Sequence, residues 1–300
     1  MVGSILKPRA FPARGQRSGL GALSVAVWLG LLLTFLVPSQ SMAQVGSIAR
    51  DLANPFSNLW NVVNQINFNQ LKGGLFRDSH TQFNWNLQPV MPMPLNGQYN
   101  IVNRPVIPYY RNPYVDTTGE VVYATGFGDV QLASLLVPNK SEGLIYAFGM
   151  TMIAPTAKDS IHIGQGLWQF GPAAGLFYVG KNFVGGVFPQ HWKAIQGVDN
   201  QHPATRFTNL QYGFSYLPSE NLTILSSANI LIDWTKDEAN RWTVPLSIGA
   251  SYLFTGGPLP VSIGINCQWV VKRPADLQHQ ESIIRLTITP VIPSPFATGE

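Results

Sequence analysis

A single cysteine, Cys267, leaves no intramolecular disulfide and no cysteine-built zinc site. Charge is scarce as well. Asp, Glu, Lys and Arg make up 11% of the 300 residues, less than half of the usual quarter or so. A disordered chain would carry more charge and fewer aromatics. The formal net charge of +4 comes entirely from Lys7, Arg9, Arg14 and Arg17, which leaves 15 basic against 15 acidic residues in the rest of the chain. No basic footprint for nucleic acid survives there, so no nucleic-acid partner is expected. Beyond Ala43 no apolar run approaches the ~18 residues of a spanning helix. There is no Gly-rich phosphate loop, no His-Glu-x-x-His and no Gly-x-Ser-x-Gly. The sequence therefore assigns no catalytic residue, metal or cofactor.

The N-terminus reads as an export signal. Its four positive charges precede an apolar run from Leu23 to Val37, which Pro38 ends. Ser41-Met42-Ala43 supplies the small residues of a signal-peptidase site. We place a signal peptide at 1–43, a short periplasmic segment at 44–57 and one β-domain at 58–300.

That domain alternates strictly. Thr81, Phe83, Trp85, Leu87 and Met91 share one face of a strand, and Gln82, Asn84, Asn86 and Gln88 share the other. Trp242 to Tyr252 repeats the pattern, as do Val261 to Trp269 and Ile284 to Thr289. Twelve such segments are expected, near 58–69, 80–92, 98–110, 127–137, 144–154, 166–178, 183–193, 206–217, 221–234, 241–254, 259–271 and 281–292. Short turn-rich links such as Asn96-Gly97 and Gly256-Gly257-Pro258 alternate with longer ones around 70–79, 111–126, 155–165, 194–205 and 272–280. Short turns at one end, long loops at the other and an even strand number describe an antiparallel up-and-down transmembrane β-barrel in the outer membrane. Trp168, Trp192, Trp234, Trp242 and Trp269 all lie near assigned external loops, where an interfacial aromatic girdle belongs.

Several short motifs run in order along most of the mature chain: Leu52-Ala53-Asn54-Pro55, Asn103-Arg104-Pro105 with Pro108, Gly126-Phe127-Gly128-Asp129, Pro155-Thr156-Ala157, Gly171-Pro172 and Trp242-Thr243-Val244-Pro245. Through them the chain resembles the bacterial outer-membrane barrel family labelled "MetA-pathway of phenol degradation". Leu167 stands where that pattern suggests a lysine. The resemblance implies an outer-membrane barrel that transports small solutes, with hydrophobic or aromatic compounds as cargo. It assigns no binding residue.

Candidate lumen-lining residues follow from alternation alone: Gln82, Asn84, Asn86, Gln88, Arg104, Asp129, Gln131, Asn266, Gln268 and Arg285. A charge facing lipid at the bilayer midplane costs about 2–4 kcal/mol, so the charged members belong inside. They act either as a lining that filters solutes or as an Asn/Gln and ion-pair network that fills the barrel. Arg104 and Asp129 are expected to meet lumen water or each other. Ser160 and His162 are a weaker catalytic candidate, since Asp159 would point away if a strand continued there. The partners expected are outer-membrane lipid and small solutes. The alternatives to a channel are a filled barrel that displays its loops and an outer-membrane lipid hydrolase.

Overall fold

The computed structural model describes residues 42–296. The expected signal segment lies outside these residues except for Met42 and Ala43, which begin a helix, α1 (Met42–Ala53). Thirteen strands follow: β1 (Asn61–Gly73), β2 (Phe76–Pro94), β3 (Tyr99–Val115), β4 (Val121–Phe127), β5 (Val130–Pro138), β6 (Gly143–Ala154), β7 (Trp168–Val179), β8 (Phe183–Gln196), β9 (Arg206–Tyr216), β10 (Leu222–Asp233), β11 (Trp242–Phe254), β12 (Val261–Lys272) and β13 (His279–Pro290). All neighbours are antiparallel. β1 pairs with both β2 and β13, for example Asn64 with Leu87 and Ile288, and β2 pairs with β3, so the sheet closes on itself. β4 and β5 both pair with β3 and are two halves of one interrupted strand, so the wall has twelve staves. All twelve expected segments are present.

The interruption lies at Gly128-Asp129. There the loop residue Thr156 replaces a ladder rung: its Oγ1 donates to Gly128 O at 3.1 Å and accepts from Val130 N at 2.9 Å. Beyond this point β4 bonds to β3 alone, and its other edge faces the 155–167 loop.

Loop lengths sort less cleanly than the sequence suggests. β1 and β2 are joined through Gly74 and Leu75 alone, and most of 111–126 is strand. β2 and β3 run to 19 and 17 residues, well past the 9–11 or so that cross a bilayer. The apparent long loops are therefore hairpins projecting out of the membrane layer. The connections that remain long at this end are 155–167, 197–205, 234–241 and 273–278.

The two faces of the wall differ in kind. β7 shows it most plainly. Trp168, Phe170, Leu176 and Tyr178 are exposed, whereas Gln169, Gly171, Ala173, Gly175, Phe177 and Val179 are buried. Phe148 is 61% exposed and Ile248 59%, and dozens of large apolar side chains share the outer surface with them. A continuous apolar belt of this extent is not a water-facing surface. Trp168, Trp234 and Trp269 are on it, but Trp192 is 1% exposed. It points inward and stacks on Phe207 with ring centroids 5.0 Å apart. Its even position on β8 puts it with inward-facing Phe188, so it does not belong to the girdle.

Ile248 is mid-strand on β11 and faces outward. Ile248→Arg should destabilise the membrane-folded protein by about 2–4 kcal/mol, read from denaturant titration in lipid vesicles. An unchanged midpoint would mean that this face does not meet hydrocarbon.

Candidate functional site: the lumen and its two closures

The inward faces of β1, β2 and β3 carry amides that bond to one another across the ladder. Asn67 Nδ2 donates to Asn84 Oδ1 at 3.1 Å, and the Asn84 and Asn86 side chains bond at 2.9 Å. Asn69 Nδ2 donates to Gln82 Oε1 at 2.7 Å, and Gln82 Nε2 donates to Asn112 Oδ1 at 2.6 Å. Gln88 Nε2 reaches Gln65 Oε1 at 2.9 Å. Arg285 joins this ladder through Nε to Asn67 Oδ1 at 2.7 Å. Arg104, also on β3, lies with its guanidinium 5.5 Å from the ring of Phe188 on β8. Gln88, Arg104, Asn266 and Arg285 line one cavity of about 190 Å³. Gln268 is buried two residues along from Asn266. Gln131 pairs with Val106 and Ile153 in the ladder and has no side-chain bond among the described residues.

The cavity is closed on the short-turn side by α1. Val45, Ile48, Ala49, Leu52 and Ala53 recur at helical spacing and pack on the barrel's inner core. Arg50 Nη1 is 2.6 Å from Glu142 Oε1 in a short turn, which anchors the helix at that end. Pro55 prevents the helix from continuing, and the next residue, Phe56, turns into the barrel. Its ring meets Phe177 and Phe188 edge-on at 5.4 and 5.2 Å and is 1% exposed. The socket is cut to fit, since a Cβ on Gly175 would collide with the Phe56 ring.

The long-loop side is closed by residues 155–167. Asp129 does not meet Arg104. Its carboxylate instead accepts the Ala157 N–H at 3.0 Å and the Gln165 N–H at 2.6 Å. Of the two alternatives expected for this pair, lumen water or each other, the mutual contact does not form, because backbone amides satisfy the carboxylate. Asn112 Nδ2 donates to His162 O at 2.6 Å, and the His162 ring stacks on Tyr114 at 3.8 Å. Gln169, fully buried, donates to Gln165 Oε1 at 2.6 Å and accepts from Thr205 Oγ1 at 2.7 Å. The loop is thus tied to β3, β7, the β4–β5 break and the 197–205 loop.

Ser160 does not pair with His162. His162 Nδ1 is held by its own turn, 3.1 Å from Asp159 Oδ2. Ser160 Oγ lies 3.0 Å from His202 Nε2, and His202 Nδ1 lies 3.0 Å from Asp199 Oδ1. Both carboxyls are held below the usual range, chiefly by the backbone N–H of His162 for Asp159 and of His202 for Asp199. Among the described residues no group of three His, Cys, Asp or Glu is placed to hold a metal.

The packing of the short segment 44–57 into the barrel was not anticipated from the sequence, although the spacing of Val45, Ile48, Ala49 and Leu52 and the phenylalanine after Pro55 were the available signal. The Ser160–His202 contact joins two loops 42 residues apart and leaves no trace in local sequence.

The chain matches an outer membrane channel from Pseudomonas putida F1 at 13% identity and a TM-score of 0.55, over 78% of this chain and 94% of that one. It has the fold of an outer-membrane barrel. The NanC porin aligns at 11% identity and a TM-score of 0.48 over 78% of this chain and all of its own. The translocator domain of the autotransporter NalP from Neisseria meningitidis aligns at 9% and 0.44 over 90% and 96%. No family model and no curated protein matches the sequence.

The two closures should respond separately. Asp129→Ala removes a charged acceptor shared by two amides, and each such bond contributes about 1.5–3 kcal/mol. Hydrogen exchange at Ala157 and Gln165 should accelerate at least tenfold or so, while β11–β13 keep their protection. Unchanged exchange would mean that the loop is held elsewhere.

For the plug, burial raises the Asp51 carboxyl to about 6, with Arg50 opposing. A carboxyl raised on docking favours the docked helix while it is protonated, and docking weakens as pH climbs through 6. Cleavage after Arg50 by trypsin should therefore be faster at pH 7.5 than at pH 5.5, relative to a control substrate. Asp51→Asn should flatten the difference. Equal protection of the wild type at both pH values would contradict this.

Proposed function

We propose that this protein is an outer-membrane channel for small solutes, delivered there by its N-terminal signal, with hydrophobic or aromatic compounds as cargo. The observation that carries the reading is the interior: a cavity in a closed barrel, with α1 and the 155–167 loop folded over its two sides and held by packing, hydrogen bonds and an ion pair rather than by the wall's own ladder. A barrel built only as a scaffold has no need of a cavity between two detachable closures. The Pseudomonas putida protein with this fold is an outer membrane channel, which agrees with the reading. The bias toward aromatic cargo rests on the motif resemblance to the phenol-degradation family, of which we propose the chain is a member. Of the candidate residues, Gln88, Arg104, Asn266 and Arg285 form the passage in this account. Gln82, Asn84, Asn86, Gln131 and Gln268 shape its polar wall, and Asp129 holds the loop.

Liposome swelling over a panel of sugars and small aromatics tests this. The wild type should admit solutes slowly, and Phe56→Ala, which removes the ring from its socket, should admit them several-fold faster. Impermeable liposomes for both proteins would favour a filled display barrel.

A second reading keeps the barrel and adds chemistry at its rim. Ser160, His202 and Asp199 stand in the hydrogen-bond order of a nucleophile, its base and the group that orients the base. Ser160 lines an open notch with Phe127, Ile161, Ile163 and Lys158, which suits a lipid ester. The Asp–His bond alone is weak support, because the same Asp-x-x-His turn recurs at Asp159–His162. A fluorophosphonate probe should label Ser160 and spare Ser160→Ala if this reading holds. An unlabelled wild type excludes it.

A further inference from the structure

The cavity in the middle of the barrel has an unbalanced charge. Two arginines, Arg104 and Arg285, line it, and among the described residues no carboxylate does. The inner-wall carboxylate, Asp129, is committed to the loop amides. Arg104 Nε and Nη1 are shielded from solvent and have no hydrogen-bond partner among the described residues. Its one ring contact, with Phe188, satisfies the face of the guanidinium and none of its N–H groups. Arg285 is held by a single bond, from Nε to Asn67 Oδ1. That bond holds the side chain at Nε, and Arg285 lines the cavity. Asn266 pairs with Arg285 in the ladder and adds a buried amide whose Oδ1 and Nδ2 are also unpartnered.

Burying a charge without a partner is strongly unfavourable, and two in one cavity more so. Guanidinium groups are forks of fixed geometry that match a carboxylate with paired bonds. The remaining wall is mixed: Leu52, Val63 and Val90 form an apolar patch, and Gln65, Gln211 and Thr287 face the same space. A fully hydrated inorganic anion would leave the apolar patch unused. Size gives the rest: an apolar cavity of about 150 Å³ takes up benzene, and this one measures about 190 Å³.

We propose that the lumen cavity is a binding site for a small organic monocarboxylate with an apolar body of about one ring, its carboxylate held by Arg104 and Arg285. This rests on the channel reading for its purpose, as the selectivity site of the passage. Leu52 belongs to α1, so the plug forms part of the site. The carboxylate neutralises a pair of cations that the fold otherwise leaves unmatched, so binding should also raise the melting temperature.

The test uses the full mature chain in detergent, titrated calorimetrically at pH 7 and constant ionic strength with benzoate, benzyl alcohol and inorganic phosphate. Benzoate should bind at one site and raise the melting temperature, with benzyl alcohol and phosphate at least about tenfold weaker. Arg104→Gln and Arg285→Gln should each weaken benzoate about tenfold or more, as expected for loss of a charged hydrogen bond. Equal binding of benzoate and benzyl alcohol overturns the proposal, and needs no variant whose folding is in question. So does phosphate binding as tightly as benzoate, or a folded variant, verified by its heat-dependent mobility in SDS, that binds like the wild type. The underlying reading fails separately: Arg-dependent benzoate binding without flux in liposomes sinks the channel and keeps the site. Flux of sugars with no preference for benzoate over benzyl alcohol does the reverse.

Discussion

Every backbone N–H and C=O that enters hydrocarbon must be satisfied from within the protein, and a sheet does this only when it has no edges. The β1–β13 and β2–β3 pairings close the ring here, and the rest of the molecule follows from that closure. Once the ring is shut, side chains have two destinations. Those facing lipid are apolar and exposed, as Phe148 and Ile248 are. Those facing inward must be satisfied by each other, by water or by another part of the chain. Where the ladder lapses at Gly128-Asp129, a hydroxyl from Thr156 repairs it and the loop that carries Thr156 covers it.

The interior is solved differently along the axis. On one wall the Asn and Gln ladder of β1 to β3 bonds to itself. On the opposite wall β6 and β7 present small and apolar residues, Ala147, Ala173, Gly175 and Phe177 among them, too few and too small to fill the space. Phe56 and the apolar face of α1 complete that core. The plug is therefore a substitute for side chains that the wall does not supply, attached by packing and a partly exposed ion pair to Glu142. Such attachment is strong enough to hold and weak enough to release, since an exposed pair of this type contributes only ~0–1 kcal/mol.

Strand alternation was legible in the sequence wherever burial on one face imposes a period of two, as Gln82 to Gln88 against Phe83 to Leu87 shows, and less so in the glycine-rich segments from 127 to 193. The girdle assignment failed at Trp192 because proximity to a loop does not reveal parity, and one residue of register decides between lipid and lumen. The loops were overestimated at 70–79 and 111–126 because polar residues serve equally in a loop and in a hairpin outside the membrane. Arg104 and Asp129 were expected to meet lumen water or each other, and they do not meet each other. Opposite charges read as inward on strands joined by one loop allow a pair, but Asp129 stands at a strand break, where backbone amides from a distant loop bind it. Contacts that depend on loops folding back, such as Ser160 with His202, are not encoded locally.

The central claim is that the passage runs through the barrel and that α1 must leave for it to open. A tether tests it most directly. An ideal Cβ on Gly46 lies 3.7 Å from Glu220 Cβ, close to the ~3.8 Å of a disulfide. Gly46→Cys with Glu220→Cys, in a Cys267→Ser background, should lock the helix to the 217–221 turn when oxidised. Reconstituted in liposomes, the oxidised protein should block solute-driven swelling, and reduction should restore the rate of the untethered chain. Equal swelling before and after reduction, with the disulfide verified by mass, would contradict the account.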